Sequence, residues 1–532
     1  MTITPFTTTP YALTNKFKKI VIDYINGSPN LKPLYTFSHN TQGLQQAIAH
    51  RTFTTAQRQV LVQGLTAQYK SLTNNKNALV QINKLNADNC FTVCTAHQPN
   101  IFTGYWYSIY KICQTIALCA SLNKNYNNKT FVPVFYMGSE DADLDELGHL
   151  FFNDTHYNWQ TTQTGAVGRM VVDDALLAIK ATIINQIGHL PQASALINLL
   201  NISYTKGQTI AQASFILLHN IFEAFGLLIL IPDAPVWKKA MLPIFKQEIL
   251  QNLSELKVST TSAYLAQQGY KPQAHARPIN LFYLDATSRN LINKIGERYA
   301  IKDTLYTELE ILALLETNPE AFSPNVILRG VLQETILPNI AFIGGGGEIA
   351  YWLQLKDVFA LYKVPYPLLL LRNSFSIITN AQWNKLQKAG VLKAQIFSDI
   401  LHLKNAISKS IYGNMLELQT EIEAINQAYH NIKLKATEVD ITLNIHADAL
   451  QVKHINKIEV LQKKLVKAAR NKIALKNNAL DVTWQQLYPN GGLQERKENF
   501  INAYATMGNM LIESLIANSE GIATALRTLL VN

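Results

Sequence analysis

Residues 91–104 read FTVCTAHQPNIFTG, and residues 131–146 read FVPVFYMGSEDADLDE. Each stretch begins as a short apolar run, as buried strands do, and ends in polar residues. The apolar segment Tyr105–Leu122 between them predicts a helix. Strand, loop, helix and strand in this order form the repeating unit of a parallel sheet. The sequence therefore predicts an α/β fold built on a Rossmann-like parallel sheet.

The same pattern returns later in the chain. Further strands are predicted at Leu227–Ile231, Asn339–Ile343 and Pro367–Leu371, each followed by polar or glycine-rich residues. Ligands of open parallel sheets bind beyond the carboxyl ends of the strands. We therefore expect the loops after these strands to form one pocket.

Composition narrows the class of protein. The 532 residues are 48% hydrophobic and 16% charged, which favours a folded chain with a large core over a disordered one. The net charge of +10 permits anionic substrates or nucleic acid without identifying either. The four cysteines lie in one apolar stretch, so we interpret them as reduced thiols of a cytoplasmic protein. The longest apolar run is too short to span a membrane, so no membrane partner is expected.

After about residue 380 the pattern becomes helical. Apolar residues step alternately by four and three from Ile411 to Ile432, which is a coiled-coil period. The spacing resumes after a break at Thr442–Asp448, so two long helices joined by a turn are predicted. Such a hairpin often buries its apolar stripe on a second copy, and we expect a homodimer. The basic stretch Lys453–Lys476 is interpreted as a solvated helical face, with nucleic-acid binding as the alternative.

These patterns divide the chain into eight predicted segments. They are an N-terminal helical segment 1–85, three segments of the Rossmann-like core at 86–155, 211–240 and 326–380, two connecting insertions at 156–210 and 241–325, the coiled-coil arm 381–487 and a C-terminal helical segment 488–532.

The loop after the first strand is a candidate anion site. A strand–loop–helix junction presents free backbone N–H groups to an anion. His97, Asn100 and Thr103 could add hydrogen bonds to a phosphate. The alternative interpretation is a capped helix start with a hydrogen-bonded histidine.

The acidic stretch after the second strand contains Glu140, Asp141 and Asp143. Its spacing lacks the glycine and the final glutamate of a calcium loop. Clustered carboxylates at this place could bind an amine, hold a magnesium ion or act as a general base. A solvated acidic cap on a helix start is the alternative.

The third candidate is the glycine run Gly344–Gly347 followed by Glu348. It fits a relaxed dinucleotide fingerprint, but no acidic residue follows about 20 residues later, so no NAD is expected. Glycine lets the backbone approach a ligand closely. Arg372, at the end of a strand, and Arg329 suit a carboxylate or phosphate, with a structural ion pair as the alternative.

Several of these segments together resemble one family. Phe131–His149 and Pro324–Phe359 resemble motifs of the bacillithiol biosynthesis cysteine-adding enzymes, which are also described as cysteine ligases. Shorter matches are Gly165–Arg169, Pro278–Leu284 and Tyr488–Arg496. The matches run in order over roughly residues 90–500. The first loop and the helix after it match through Phe102, Thr103, Gly104, Tyr110 and Lys111, and Val364–Phe375 extends the match past the last strand.

The resemblance implies a reaction. The family has a Rossmann-like core with connecting segments and a coiled coil that pairs two subunits. It is assigned the last step of bacillithiol synthesis, an amide bond between cysteine and glucosaminyl-malate. Activation of the cysteine carboxyl group by a nucleotide is chemically expected, with ATP or ADP and magnesium as candidate cofactors and no NAD. The alternatives are a tRNA-binding class I synthetase-like protein, a nucleotidyltransferase, or a scaffold dimer without catalysis.

With the resemblance, the candidate site residues fall into two groups. The catalytic candidates are His97, Glu140, Asp141 and Asp143. The candidates for binding substrate or nucleotide are Gln98, Asn100, Thr103, Gly104, Lys111, Gly345, Gly346, Gly347, Glu348, Arg372 and Asn373. No protein-bound metal is assigned to named residues.

Overall fold

The computed structural model describes residues 2–476 and 478–532. Met1 and Asn477, the latter within the predicted arm, lie outside the described residues. The chain divides into two compact units. The first contains residues 3–376 and 494–527, and the second contains Thr2 and residues 377–493 and 528–532.

The helices and strands are numbered in chain order. Up to the second insertion they are β1 Ile3–Pro10, α1 Tyr11–Thr14, α2 Lys19–Ile25, α3 Thr41–His50, α4 Thr55–Tyr69, α5 Lys76–Lys84, β2 Cys90–His97, α6 Trp106–Asn125, β3 Thr130–Met137, α7 Leu144–Leu147, β4 His149–Phe152, β5 Thr155–Asn158, α8 Asp174–Ile187, α9 Ala193–Ser203, α10 Ile210–Phe222, β6 Leu228–Leu230 and α11 Pro235–Ala240. They continue with α12 Leu242–Gln251, α13 Leu253–Gln267, β7 Leu281–Leu284, β8 Arg289–Ile295, β9 Arg298–Ile301, β10 Thr304–Tyr306, α14 Glu308–Thr317, β11 Phe322–Pro324, α15 Val326–Ile336, β12 Asn339–Gly344, α16 Gly346–Trp352, α17 Lys356–Leu361, β13 Leu368–Leu371 and β14 Ser374–Thr379. The remainder are α18 Asn380–Lys388, α19 Ile400–Tyr412, α20 Gln419–Val439, α21 Thr442–Lys476, α22 Asn478–Leu487, α23 Ile501–Met507, α24 Asn509–Asn518 and β15 Ala525–Val531.

Five strands form the central sheet of the first unit. Their order is β13-β12-β2-β3-β6, and every neighbouring pair is parallel. β13 consists of four fully buried leucines, and β2 and β3 are almost entirely buried, as expected for strands covered on both faces. The α/β prediction is confirmed, because each predicted core strand is present in this sheet.

The strand order reverses between β2 and β12. From β2 the chain adds β3 and β6 on one side, and it later adds β12 and β13 on the other side. A crevice opens at such a switch point, outside the carboxyl ends of the strands. The loop after β2 and the glycine run after β12 therefore lie at the place where ligands of this class of sheet bind.

The N-terminal region differs in one element from the prediction of helices alone. β1 covers Ile3–Pro10, whose sequence ITPFTTTP is rich in β-branched residues. The following helices cover the sheet. Arg58 of α4, 2% exposed, donates hydrogen bonds to the carbonyl oxygens of Leu85, Asp88 and Cys90 and so fixes the start of β2.

The two inserted stretches form their own small layers. β4 and β5 make an antiparallel hairpin that begins within the predicted core segment 86–155 and leads into the first stretch. In the second, β7 to β11 form an antiparallel sheet in the order β10-β9-β8-β7-β11. This second sheet brings β8 and the end of β11 towards the carboxyl edge of the parallel sheet, where both contribute to the cavity described below.

In the second unit, α20 and α21 form the predicted hairpin. Their polar contacts pair Asn426 with Gln451, Lys433 with Asp448 and Thr437 with Asn444, which is an antiparallel register. The predicted seam is wrong at its start, because Ile411 lies at the end of α19 and Met415 lies in a short 3-10 turn. Gly413, with a φ of 52°, ends α19 there.

The break between the two long helices is displaced from its predicted position. The turn lies at residues 440–441, and α21 runs without interruption through Thr442–Asp448. The C-terminal region contains α23 and α24 as predicted, but it ends in the strand β15. Among the helices of the described residues, none is long and apolar enough to cross a membrane.

Candidate functional site

A cavity of about 830 Å³ lies beyond the carboxyl ends of β2, β3, β12 and β13. Ten of the predicted site residues line it. They are His97, Gln98, Lys111, Glu140, Asp141, Gly345, Gly346, Gly347, Glu348 and Arg372. Loops from four different strands thus meet at one place, as the strand-end argument predicts.

The other five predicted residues do not line this cavity. Asn100 donates a hydrogen bond to the carbonyl oxygen of Glu146. Thr103 and Gly104 have positive φ angles of 71° and 65° and form the tight turn before α6. Asp143 caps α7 by accepting a hydrogen bond from the Glu146 N–H. The side-chain amide of Asn373 forms hydrogen bonds with both the carbonyl oxygen and the N–H of Glu520, so it links the end of β13 to the C-terminal segment.

Lys111 lies on α6 with only 2% of its side chain exposed. Its Nζ donates to the carbonyl oxygen of Ala96 at 2.9 Å and forms an ion pair with Glu348. Burial lowers the pKa of Lys111, and the Glu348 carboxylate opposes this shift. The pair joins the end of β2 to the glycine run after β12 across the switch point.

The glycine run is shaped by close packing on one side and open space on the other. A Cβ on Gly346 would stand 3.2 Å from the Val21 side chain, whereas a Cβ on Gly347 would meet nothing within 4 Å. The N–H of Gly345 donates to Glu348 Oε2 at 2.8 Å. The backbone at Gly347 is therefore the part of the run that a ligand can approach closely.

Arg372 follows β13 and is 4% exposed. Its Nη2 lies 2.6 Å from Glu495 Oε1, and its guanidinium lies 5.3 Å from the centroid of the Tyr107 ring. The structure therefore contains the ion pair that was the alternative for Arg372, and the residue also lines the cavity.

The acidic residues after β3 have separate partners. Glu140 is buried and forms an ion pair with Lys238, which is itself fully buried. Asp141 is partly exposed, accepts a hydrogen bond from Gln98 at 3.1 Å and lies 3.8 Å from Arg289. Within residues 2–476 and 478–532, no group of three His, Cys, Asp or Glu side chains is arranged to hold a metal ion.

His97 ends β2 in a strongly cationic environment. Burial and the charges of Lys111, Arg372 and Arg329 hold the pKa of His97 well below its usual value of 6.5. Its Nε2 is buried and has no hydrogen-bond partner among the described residues. The ring is therefore neutral near pH 7, and its Nε2 is unpaired among the described residues.

Arg329, which the sequence singled out together with Arg372, lies on α15 and lines the same cavity. It bonds with the Tyr351 hydroxyl, and its guanidinium lies 5.8 Å from the centroid of the Tyr136 ring. No carboxylate of the described residues forms an ion pair with it, so the structural ion pair expected as the alternative is not found there.

Sequence reasoning missed cationic residues that come from outside the strand ends. Arg289 lies on β8, with its guanidinium 4.1 Å from the centroid of the Phe282 ring. Arg277 belongs to the second insertion, and Arg496 lies in the segment Tyr488–Arg496 that carried part of the family resemblance. Of these three, only Arg496 had a signal in the sequence that could have found it.

The lining as a whole is positive. Six lysines and arginines line the cavity, against four aspartates and glutamates, so two positive charges remain when histidines are counted as neutral. Tyr105, Tyr107, Tyr136 and Tyr351 add hydroxyl groups. Such a cavity suits a polar anionic ligand with several carboxylate or phosphate groups.

A parallel sheet that reverses its strand order above a cationic cavity, together with a separate helical hairpin, defines a Rossmann-like protein with a coiled-coil domain. The family model described as "Bacillithiol biosynthesis BshC, N-terminal Rossmann-like domain" matches residues 6–373. A second, described as "Bacillithiol biosynthesis BshC, C-terminal coiled-coil domain", matches residues 375–527. The chain belongs to the bacillithiol biosynthesis BshC family.

Curated relatives match this chain over nearly its whole length. A Flavobacterium psychrophilum protein named "Putative cysteine ligase BshC" is 35% identical and covers 95% of this chain and 96% of its own. Proteins of the same name from Cytophaga hutchinsonii and Salinibacter ruber are 34% and 26% identical, covering 94% and 93% of this chain and 94% of each relative. The predictions of this family and of a ligase enzyme are confirmed.

A solved structure was also matched. It is titled as the crystal structure of a "putative arginyl t-RNA synthetase" from Campylobacter jejuni, and it covers 88% of this chain and 99% of its own at 10% identity. The TM-score is 0.20, at which the likeness supports no argument about fold or function.

The different partners of Glu140 and Asp141 predict different mutant behaviour. Glu140→Gln leaves Lys238 buried without its counter-ion, and we expect the free energy of unfolding to fall by about 3 kcal/mol.

Asp141→Asn keeps the shape of a partly exposed side chain, so the free energy of unfolding should stay within about 0.5 kcal/mol of wild type while turnover falls about a hundredfold. Denaturant unfolding and a turnover assay measure both effects.

A double variant serves as the control for the buried pair. Glu140→Gln with Lys238→Met removes both charges and should recover most of the lost stability. Full activity of Asp141→Asn would exclude this residue from the chemistry.

The lowered pKa of His97 predicts the pH dependence of stability. The folded state disfavours the protonated imidazole, so the contribution is fully present above pH 6.5 and is lost as the pH falls towards the lower folded pKa. Below pH 6.5 the wild type should lose up to about 1.4 kcal/mol per pH unit more than His97→Gln. Denaturant titrations at several pH values between pH about 7 and about 5 measure the difference, and parallel curves for the two proteins would contradict the assignment.

Proposed function

We propose that this chain joins the carboxyl group of cysteine to the amine of glucosaminyl-malate in the last step of bacillithiol biosynthesis. The family membership supports the pathway, and the name of the relatives supports cysteine as one substrate. The observation that carries the proposal is the cationic cavity at the switch point, since the acceptor bears two malate carboxylates. One lysine, five arginines and four tyrosines contribute to its lining, which suits a polar anionic substrate.

The two substrates would occupy different regions of the cavity. Arg329 has a guanidinium without a carboxylate partner among the described residues, so it is well placed to bind a substrate carboxylate. Arg289 and Arg496, which also line the cavity, would hold the second malate carboxylate. Asp141, on the loop after β3, lies 3.8 Å from Arg289. There it would bind the acceptor amine and take a proton from it as the amide bond forms.

Amide formation from a free carboxylate is uphill in water, so we propose activation by ATP. The residues around His97 at the end of β2 suit phosphate groups. His97 Nε2 is unpaired there, and the positive charges of Lys111 and Arg372 act on the ring. The nucleotide would convert the carboxylate oxygen of cysteine into a leaving group. The chain would bind and shield the phosphates there, and the open backbone at Gly347 would allow them to come close. Magnesium would be bound through the phosphates, because the acidic residues are engaged elsewhere.

The direct test is a mass-spectrometric assay with purified protein, cysteine, glucosaminyl-malate and ATP, in which each component is omitted in turn. The expected result is the amide product only in the complete mixture. Product formed at the same rate without ATP would reject nucleotide activation and leave the acceptor assignment intact. No product from the complete mixture, with a correctly folded protein, would reject the proposed reaction.

Arg329 gives a substrate-specific prediction. Arg329→Gln should raise KM for glucosaminyl-malate at least tenfold, because the bound carboxylate loses a charged hydrogen-bond donor, while KM for cysteine changes little. Arg298→Gln, at an exposed arginine of β9 outside the cavity, is the matched control. Equal increases of both KM values would show that Arg329 shapes the cavity in general and does not bind the acceptor.

We also propose that the chain is a cytoplasmic homodimer that pairs through the hairpin. Ile445 and Val452 lie two turns apart on one side of α21 and are 76% and 59% exposed. The hairpin therefore leaves apolar surface uncovered after its two helices have packed, and a second copy would cover it. The four free, buried cysteines suit a reducing compartment.

Two substitutions test the dimer. Ile422→Asp places a charge on the half-buried face between α20 and α21, whereas Ile445→Asp places one on the exposed apolar side and leaves the hairpin intact. Both should shift a dimer to a monomer in light scattering. Asn431→Asp adds the same charge at an exposed polar position of α20 and should leave the dimer unchanged. A wild type that is monomeric at micromolar concentration would contradict the proposal.

A further inference from the structure

The four tyrosines that line the cavity at the switch point differ in the partners of their hydroxyl groups. The Tyr105 hydroxyl lies 2.6 Å from a histidine ring nitrogen, and the Tyr351 hydroxyl accepts a hydrogen bond from an arginine. The Tyr136 hydroxyl is fully buried and has no partner among the described residues. A ligand therefore finds these three hydroxyl groups either engaged or out of reach, and Tyr107 is the fourth.

Tyr107 carries an unused donor that a ligand can reach. It lies in the first turn of α6, and its side chain is partly exposed. Its hydroxyl forms no hydrogen bond within the described residues, and unlike that of Tyr136 it is not fully buried. Burial of the ring and the charge of Glu146 raise the pKa of Tyr107, so the hydroxyl keeps its proton near pH 7. A protonated phenol donates one hydrogen bond.

The Tyr107 ring stands among the groups proposed above to surround the phosphates. The Arg372 guanidinium lies 5.3 Å from the ring centroid, and Lys111 Nζ lies 6.0 Å from it. The His97 ring meets the Tyr107 ring edge to face, with 5.1 Å between the centroids. The free hydroxyl therefore belongs to the same place in the cavity as these three side chains.

Arg372 also has a donor left over. Its Nη1 donates to the Asn373 carbonyl oxygen and the Ser374 hydroxyl, and its Nη2 donates to Glu495. Its Nε forms no hydrogen bond with any residue that the structure describes, and it is not fully buried. This nitrogen lies 3.5 Å from the position that a Cβ on Gly345 would take. The remaining donor of Arg372 is therefore beside the glycine run.

We propose that the Tyr107 hydroxyl and Arg372 Nε donate hydrogen bonds to the phosphate oxygens of the nucleotide. This role rests on the proposed activation by ATP and names two groups that would orient its phosphates. A carboxylate has two oxygens in one plane, whereas a diphosphate carries oxygens on several sides and can bond with donors from two chain segments. A hydrogen bond from the phenol to a phosphate oxygen is charge-assisted and therefore stronger than one between neutral groups.

Calorimetry of the full-length protein with inorganic pyrophosphate in magnesium-containing buffer tests this role without turnover. Tyr107→Phe keeps the ring against Arg372 and removes only the hydroxyl. Its Kd for pyrophosphate should be at least about tenfold weaker than that of the wild type, as expected for one lost hydrogen bond to a charged group. Tyr105→Phe, the matched control, removes a hydroxyl that is already engaged and should bind pyrophosphate as the wild type does.

Three results would overturn the proposal. They are a wild type that does not bind pyrophosphate, a Tyr107→Phe variant that binds it unchanged, and an equal loss of affinity in Tyr105→Phe. Malate is the second probe, because Arg496 of the same cavity is assigned above to a malate carboxylate. Tyr107→Phe should leave malate binding unchanged, and a loss of malate affinity with unchanged pyrophosphate binding would move the hydroxyl to the acceptor and refute the phosphate assignment.

The binding assay separates this role from the proposed reaction. Pyrophosphate binding that depends on Tyr107, in a folded protein that forms no amide product, would keep the phosphate site and reject the reaction. Amide product from the complete mixture, with unchanged pyrophosphate binding in Tyr107→Phe, would keep the reaction and reject the role of Tyr107.

Discussion

The ion pair between Lys111 and Glu348 ties the glycine run after β12 to α6 and to the end of β2 at the switch point. A lysine that is 2% exposed needs both a counter-ion and further hydrogen-bond acceptors, because burying an unpaired charge is costly. Glu348 supplies the counter-ion, and the Ala96 carbonyl at the end of β2 supplies the acceptor. The crevice between β2 and β12 thus has a fixed shape, and His97 next to it experiences a fixed positive field.

Two other buried pairs extend the same principle to the rest of the first unit. Glu140 and Lys238 join the loop after β3 to α11, and Arg372 and Glu495 join the end of β13 to the C-terminal segment. Each pair connects a strand-end loop to a segment far away in the sequence. The charges therefore specify which segments close around the cavity, in addition to the apolar packing of the sheet itself.

Sequence reasoning succeeded where the signal is local. Apolar runs followed by polar or glycine residues identified β2, β3, β12 and β13, and parallel geometry then placed His97, Glu140, Gly346 and Arg372 at one cavity. The partners of these residues could not be found in this way. Lys238 and Glu495 lie 98 and 123 residues from the groups they pair with. Nothing in the local pattern marks Lys238, and the resemblance that includes Glu495 does not indicate its partner. Asn373 and Asp143 follow strands as predicted, but their hydrogen bonds close loops and do not reach the cavity.

The pairing pattern also explains why the lining of the cavity remains positive although it contains several acids. Glu140 and Glu348 are neutralised by buried lysines, and Asp141 lies near Arg289, so the acids contribute little net negative potential at the centre. Arg329 differs, because it is held by the hydroxyl of Tyr351 and the ring of Tyr136. A guanidinium that is held by neutral groups keeps its field directed into the cavity, where salt screens it less than at the surface. A carboxylate of the proposed acceptor would replace the missing counter-ion at this point of the site.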